Sequence, residues 1–268
     1  MYDSARRQSP FVEEFRSLLR YSELIRQLIL RSIKTRYKRS ILGIAWTMIN
    51  PLLTMAVLTL VFSRLFQFPT RTYALHVLSG LLIWNFFAQT SLAAMGEMMW
   101  SGSLLGRIYV PKTAFAVGAL GTGLVNLVLA VIPYLVISLL LGVIPPATLL
   151  LLPVPVLFTG LFTLGVGLAL SSMVLYFQDI QPTYEILLAA WFYLTPVIYP
   201  VGLLPAGLAA LLKWNPMFHY VELFRSTVLT GSLPGLASLT AQGLFGLAVF
   251  VLGWWIFTRR ARDYAYQI

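Results

Sequence analysis

Long stretches without a single charge alternate along this chain with short ones that hold nearly all of them. Ser40 to Ser63 is charge-free, and so is Val77 to Gly96. Thr113 to Gln178 runs for 66 residues without Asp, Glu, Lys or Arg, too long for one helix but fitting two joined at the breaker "GVIPP", residues 142 to 146. Ile186 to Leu212 is again free of charge, with Pro196, Pro200 and Pro205 interrupting it after a short first part. Ser226 to Thr258 closes the series, expected helical from about Ser238 because "GSLPG", residues 231 to 235, breaks the pattern before it. Crossing about 30 Å of hydrocarbon takes about 20 helical residues, so the pattern predicts an all-α protein with six transmembrane helices between residues 41 and 258.

A different period governs the N-terminus. Phe11, Phe15, Leu18, Ile25, Ile29 and Ile33 recur at helical spacing, with Glu13, Arg16, Arg20, Glu23, Gln27, Arg31 and Lys34 on the opposite face. Ser9 and Pro10 suit an N-cap and first helical residue. A basic amphipathic helix of low net hydrophobicity is expected to lie in the membrane interface, apolar face toward lipid, within a cytoplasmic segment 1–40. It is either a passive anchor or a surface gripped by a cytoplasmic partner.

Composition agrees with the pattern and disposes of a nucleic-acid partner. The 268 residues are 59% hydrophobic and 10% charged, against about 25% charged in soluble domains. The formal charge of +10 sits where orientation in a membrane needs it. Fifteen of the 19 Lys and Arg fall in the N-terminal segment, the loop 100–112 and the tail 259–268, leaving Arg64, Arg71, Lys213 and Arg225 on the other side. Both termini are therefore expected in the cytoplasm of a cell-membrane protein. The first forty residues lack the short apolar run of a signal peptide, so none is expected. With no Cys, thiolate nucleophiles and Cys-ligated metals are excluded.

The ionisable residues offer no reaction centre. His76, Glu97, Asp179, Glu185, His219 and Glu222 scatter over different levels and sides, so no acid and base converge, and charges at helix ends belong to the headgroup layer. Glu222 and Arg225 are spaced to pair with each other. "GRIYVPKT", residues 106 to 113, imitates a nucleotide-binding loop, but Pro111 stands where a glycine must approach phosphate, so any ATP and Mg belong to another chain. Ala114, Gly118 and Thr122, like Gly167 and Ser171, are small residues four apart, which let helices approach closely. Aromatics concentrate at Trp46, at Trp84, Phe86 and Phe87, and at Trp191, Phe192, Tyr193 and Tyr199. They serve either as interfacial anchors or as a stacking surface for a wide, polar, uncharged substrate such as a sugar.

From "RYKRSILGIAWTMINPLLTMAVLTLVFSRLF", residues 36 to 66, onward, the chain resembles the permease subunits of ABC-2 type polysaccharide exporters, which move O-antigen, capsule and teichoic acid polymers. The likeness continues in order through "SGLLIWNFF", "GRIYVPKTAF", "YFQDI", "LTPVIYP", "NPMFHYVELFR" and "ARDYA". Two places depart from the family's pattern. Gly106, Arg107, Ile108, Tyr109, Val110 and Pro111 replace a basic pair before Val-Tyr-Phe-Pro, and Gln178 with Asp179 replaces Arg-Asp.

The resemblance implies a homodimer with two copies of a separate cytoplasmic ATPase, contacted through Gly106, Arg107, Ile108, Tyr109, Pro111 and Asp179. It also implies a re-entrant outer gate segment over 201–235, and a lipid-linked polysaccharide whose diphosphate meets Arg36, Lys38 and Arg39 beside Leu42 and Gly43. A permease for a drug or small lipid, and a membrane-embedded transferase acting on lipid-linked sugars, are the alternatives.

Overall fold

The computed structural model describes residues 10–38, 40–100, 111–174, 176–177 and 179–260; their secondary structure is helical, with no strand among them. The N-terminal pattern becomes two helices, α1 (Pro10–Arg20) and α2 (Ser22–Tyr37). The charge-free stretches become α3 (Ala45–Leu65), α4 (Thr70–Trp100), α5 (Thr113–Leu140), α6 (Pro153–Val174), α7 (Ile180–Leu194) and, at the end, α10 (Leu236–Arg260). Between the last two lie the short helices α8 (Ala206–Leu212) and α9 (Pro216–Arg225), then a π-helical turn over Ser226–Thr230. Five of the described helices are long and apolar enough to cross a membrane, which makes this a multi-pass membrane protein.

α4 is the central column, packed against α3, α5, α6, α7 and α9. Its apolar window is 72% buried, whereas that of α3 is 17% buried. On α3 the usual pattern is inverted: Pro51, Thr59 and Ser63 face the protein, while Leu53, Val57, Leu60 and Leu65 are exposed. Apolar residues facing outward are at home in lipid, where burial among other side chains brings no hydrophobic gain.

The small-residue motifs divide their work. Ser171 Oγ donates to the Ala94 carbonyl at 3.0 Å, and Gly167 lies against Ala94, so that motif joins α6 to α4. Gly165 and Gly253 bring α6 and α10 into backbone contact, since a Cβ on Gly253 would fall 2.0 Å from the Gly165 carbonyl oxygen. Gly118, by contrast, faces no other span: with Gly121 it seats Leu28 and Ile29 of α2. The apolar face of the N-terminal helices therefore meets protein, with Leu18, Leu24, Ile25 and Leu28 covering Ala114 and Phe115. The expectation that this face lies against lipid is corrected to that extent, because the first turns of α5 offer small residues into which it fits. Phe11 and Phe15 lie outside what is described of the side chains.

The expected fifth span is a helix of only 15 residues. At 1.5 Å per residue it covers about 22 Å. It stops where Thr195 adopts an extended conformation ahead of Pro196, as the residue before proline prefers. From there the chain turns back through α8 and α9. Asn215 caps α9 by accepting from Met217 N at 3.0 Å, with Pro216 in the first turn.

Candidate functional site

Two adjoining cavities open along α3 and α4, of about 320 and 380 Å³. Trp46, Thr47 and Asn50 of α3, Asn85, Phe86, Gln89 and Thr90 of α4, and Thr122, Gly123 and Asn126 of α5 line the first, with Arg36 and Ser40 at its α2 end. Asn50, Asn85 and Gln89 also line the second, where Trp84, Glu185, Phe192 and Tyr193 join them. Asn85 is sixteenth of the 31 residues of α4 and Asn126 fourteenth of the 28 of α5, so both stand halfway along their helices. Among the described residues the side chains of Asn50, Asn85, Gln89 and Asn126 make no hydrogen bond. Thr90, 3% exposed, also has a hydroxyl without a partner. Unpaired amides at that depth in hydrocarbon would cost several kcal/mol each, so the cleft is one that water or a polar ligand enters.

Sequence reasoning missed these amides because it searched the spans for ionisable groups. The signal was present as four carboxamides in charge-free stretches, which the absence of charge concealed.

At the α2 end the chain leaves α2 through Lys38, whose side chain is exposed; Arg39 lies outside the described residues. A tight turn follows. Gly43 N donates to Ser40 Oγ at 3.1 Å, Ala45 N donates to the Leu42 carbonyl at 3.0 Å, and Gly43 adopts φ +50°. Ile41, Leu42 and Ile44 are exposed around it. Of the three cations at this junction, Arg36 lines the first cavity. Arg31 and Arg36 also lie close enough to Glu97, at the end of α4, to act on its carboxyl.

The aromatic set separates into two roles. Phe87, wholly buried, packs among Trp84, Trp191 and Phe162, with ring centroids 5.3 to 5.8 Å apart, and lines neither cavity. Trp191 Nε1 donates to Asn215 Oδ1 at 2.8 Å, tying α7 to the start of α9. Trp46 and Phe86 face the first cavity; Trp84, Phe192 and Tyr193 face the second. Tyr199 lies beyond the break in α7, where its hydroxyl donates to the Tyr193 carbonyl at 3.1 Å.

That break is held from two directions. Asn215 Nδ2 donates to the Leu194 carbonyl at 3.1 Å and to Thr195 Oγ1 at 3.0 Å. Arg225, 4% exposed, reaches in from the other end of α9, its Nη2 donating to the carbonyls of Pro196 at 3.1 Å and His76 at 3.3 Å. Its Nη1 pairs with Glu222, as their spacing predicted. Gly80 leaves the room for it, since a Cβ there would lie 2.9 Å from Nη2. Tyr73 donates to the Ile198 carbonyl at 2.8 Å.

On the α1 side, Glu14 accepts from the backbone N and the hydroxyl of Thr113, at 3.3 and 3.0 Å, and so caps α5. Neighbouring Lys112 is half-buried, and burial pushes its ammonium below the ordinary lysine range while the Glu14 carboxylate acts the other way. Pro111 is buried and Asp179 exposed at the start of α7; Gly106, Arg107, Ile108 and Tyr109 lie outside the described residues.

These features define a class: a helical membrane protein with a cleft of carboxamides halfway along its spans, in which Arg36 and Glu185 are the charged residues among the described lining. The chain belongs to the ABC-2 type transporter family, whose model matches residues 23–229. It is 28% identical to the O-antigen export system permease protein RfbA of Myxococcus xanthus, over 94% of this chain and 98% of that protein. It is 24% identical to the polysialic acid transport protein KpsM of Escherichia coli, over 85% and 90% of the two chains. Similarity to the capsule polysaccharide export inner-membrane protein CtrC of Neisseria meningitidis serogroup A is 28%, over 78% and 80%.

Proposed function

We propose that this chain is the membrane subunit of an ATP-driven exporter that carries a lipid-linked polysaccharide out across the cell membrane. The carrying observation is the cleft: carboxamides and aromatic faces, without a charge at its centre, suit a hydroxyl-rich neutral polymer and offer nothing to drive its movement. The relatives named for O-antigen, polysialic acid and capsule export point the same way. Energy comes from a separate cytoplasmic ATPase carrying ATP and Mg, for this chain has no nucleotide loop of its own.

In this reading α7 is the fifth of six spans, the segment 201–235 is a re-entrant outer gate, and both termini are cytoplasmic. Two copies of the chain assemble with α3 and α7 facing one another, so that the polar groups which α3, α4 and α7 present to the second cavity are enclosed between the chains. α1, α2 and the loop 100–112 meet the ATPase, and Glu14 on Thr113 passes its movement to α5. Arg36, Lys38 and Arg39, at headgroup depth beside the Leu42–Gly43 turn, receive the lipid diphosphate.

The test is to co-express the chain with its partner ATPase, purify the complex, and measure ATP turnover in nanodiscs with and without lipid-linked glycan. A two-plus-two complex stimulated by the glycan is expected. A chain that recruits no ATPase, or a complex indifferent to glycan, overturns the reading.

A further inference from the structure

We infer that the cavity between α3, α4 and α5 is a binding site for a neutral sugar unit, held by Asn85, Asn126 and Thr122 beside Phe86, with the phosphate that carries it directed toward Arg36. The inference rests on the proposed export of a lipid-linked glycan, and it adds a subsite inside each chain, separate from any path between two chains.

The cavity's chemistry selects the ligand. At about 320 Å³ it falls at the small end of small-molecule cavities, which begin near about 300 Å³. Every carboxamide offers a carbonyl acceptor and two N–H donors, and the Thr122 hydroxyl, which donates to the Gly118 carbonyl at 3.0 Å, can still accept, which matches hydroxyls that both give and take hydrogen bonds. Among the described residues the side chains of Asn85 and Asn126 have no partner. Gly123 lets Thr90 and Phe86 of α4 pack close against α5 behind the cavity. A Cβ on Gly123 would lie 2.0 Å from Thr90 Oγ1 and 3.3 Å from the Phe86 ring. Trp46 and Phe86 in the lining offer aromatic surface to the C–H face of a sugar ring. Among the described residues that line the cavity Arg36 is the one with a charge, so an ionised ligand group is matched at the α2 end.

Direct binding tests this. The full chain in phosphatidylcholine nanodiscs is titrated with radiolabelled citronellyl diphosphate, and with the same lipid bearing one glucose on its diphosphate. Two variants remove the amide of Asn126, which lines this cavity and not its neighbour, Asn126→Leu and Asn126→Ala. Asn126→Leu keeps the number and branching of side-chain heavy atoms, Asn126→Ala leaves the cavity open, and the amide they remove makes no hydrogen bond among the described residues, so folding is retained. Wild type is expected to bind the glucose-bearing lipid more tightly than the bare one. Each variant should weaken the glucose-bearing lipid by about fivefold to tenfold, the worth of one buried hydrogen bond, and leave the bare lipid unchanged. If both variants bind the glucose-bearing lipid as wild type does, the cavity holds water only and the sugar sits elsewhere, with the export reading intact. Equal binding of the two lipids by wild type also overturns the subsite. The export reading is judged separately, by glycan-stimulated ATP turnover of the complex.

Discussion

The two ends of the polar cleft are built in opposite ways. At the α7–α9 end, Asn215 and Arg225 bracket one short helix and together hold the backbone of Leu194, Pro196 and His76, with Tyr73 holding Ile198. At the α2–α3 end one side-chain hydrogen bond, from Gly43 N to Ser40 Oγ, organises a turn whose apolar residues are exposed. The first arrangement fixes a break in a helix that proline alone would leave loosely directed. The second leaves a turn whose shape depends on backbone conformation and which a lipid headgroup or another chain can reach.

The largest effect is expected where the most contacts converge. Arg225→Leu leaves the Pro196 carbonyl without its donor and Glu222 without its cation, while the His76 carbonyl keeps the Ser79 hydroxyl, and should cost about 2–4 kcal/mol of stability, seen as a lowered Tm of the purified protein. Arg225→Lys keeps the charge but not the planar fork that spans Glu222 and the carbonyls at once, so it should fall between. A Tm unchanged by both would mean that the α7–α9 end is held by apolar packing alone, and the contrast between the ends would collapse.

Asn215→Leu should cost about 1–2 kcal/mol, since it removes the α9 cap and the bonds to Trp191 and Thr195 together. Trp191 loses its partner in this variant. Quenching of indole fluorescence by acrylamide should therefore rise with the fall in Tm, a pairing that loss of the cap alone would not produce.

Little of this contrast was legible in the sequence, although most of the helices were. Gly142 to Pro146 divided α5 from α6 and Pro196 ended α7 because breakers act on the backbone locally, whatever surrounds them. Arg225 was different. In sequence it counted as one of four cations beyond the membrane, paired to a nearby glutamate, and nothing local to "VELFRSTVL" says that its other nitrogen meets carbonyls 29 and 149 residues away. The aromatics posed the same difficulty: Phe86 and Phe87 are neighbours with one chemistry, and only the rotation of α4 puts the first on a cavity and the second among Trp84, Trp191 and Phe162. For α1 and α2, periodicity placed Leu18, Ile25 and Ile29 on one face and could not say that the first turns of α5 would meet them, together with Leu24 and Leu28.

The smallest effect on stability, and the sharpest on the comparison, belongs to Gly43. A Cβ at this position would meet nothing within 4 Å, so a substitution there is opposed by backbone conformation and not by crowding. With φ at +50°, Gly43→Ala should cost about 1 kcal/mol and Gly43→Val more, while Gly43→Asn, which tolerates left-handed backbone, should lie near wild type. Because the turn is exposed and lightly bonded, that cost should reshape the turn locally and leave the Tm of the protein within about 2 °C. Glycan-stimulated ATP turnover should then fall in the order Gly, Asn, Ala, Val. Equal turnover in all four would mean that the turn's shape has no part in substrate uptake. A fall for Asn as large as that for Val would make side-chain bulk at the mouth, and not left-handed backbone, the property that matters.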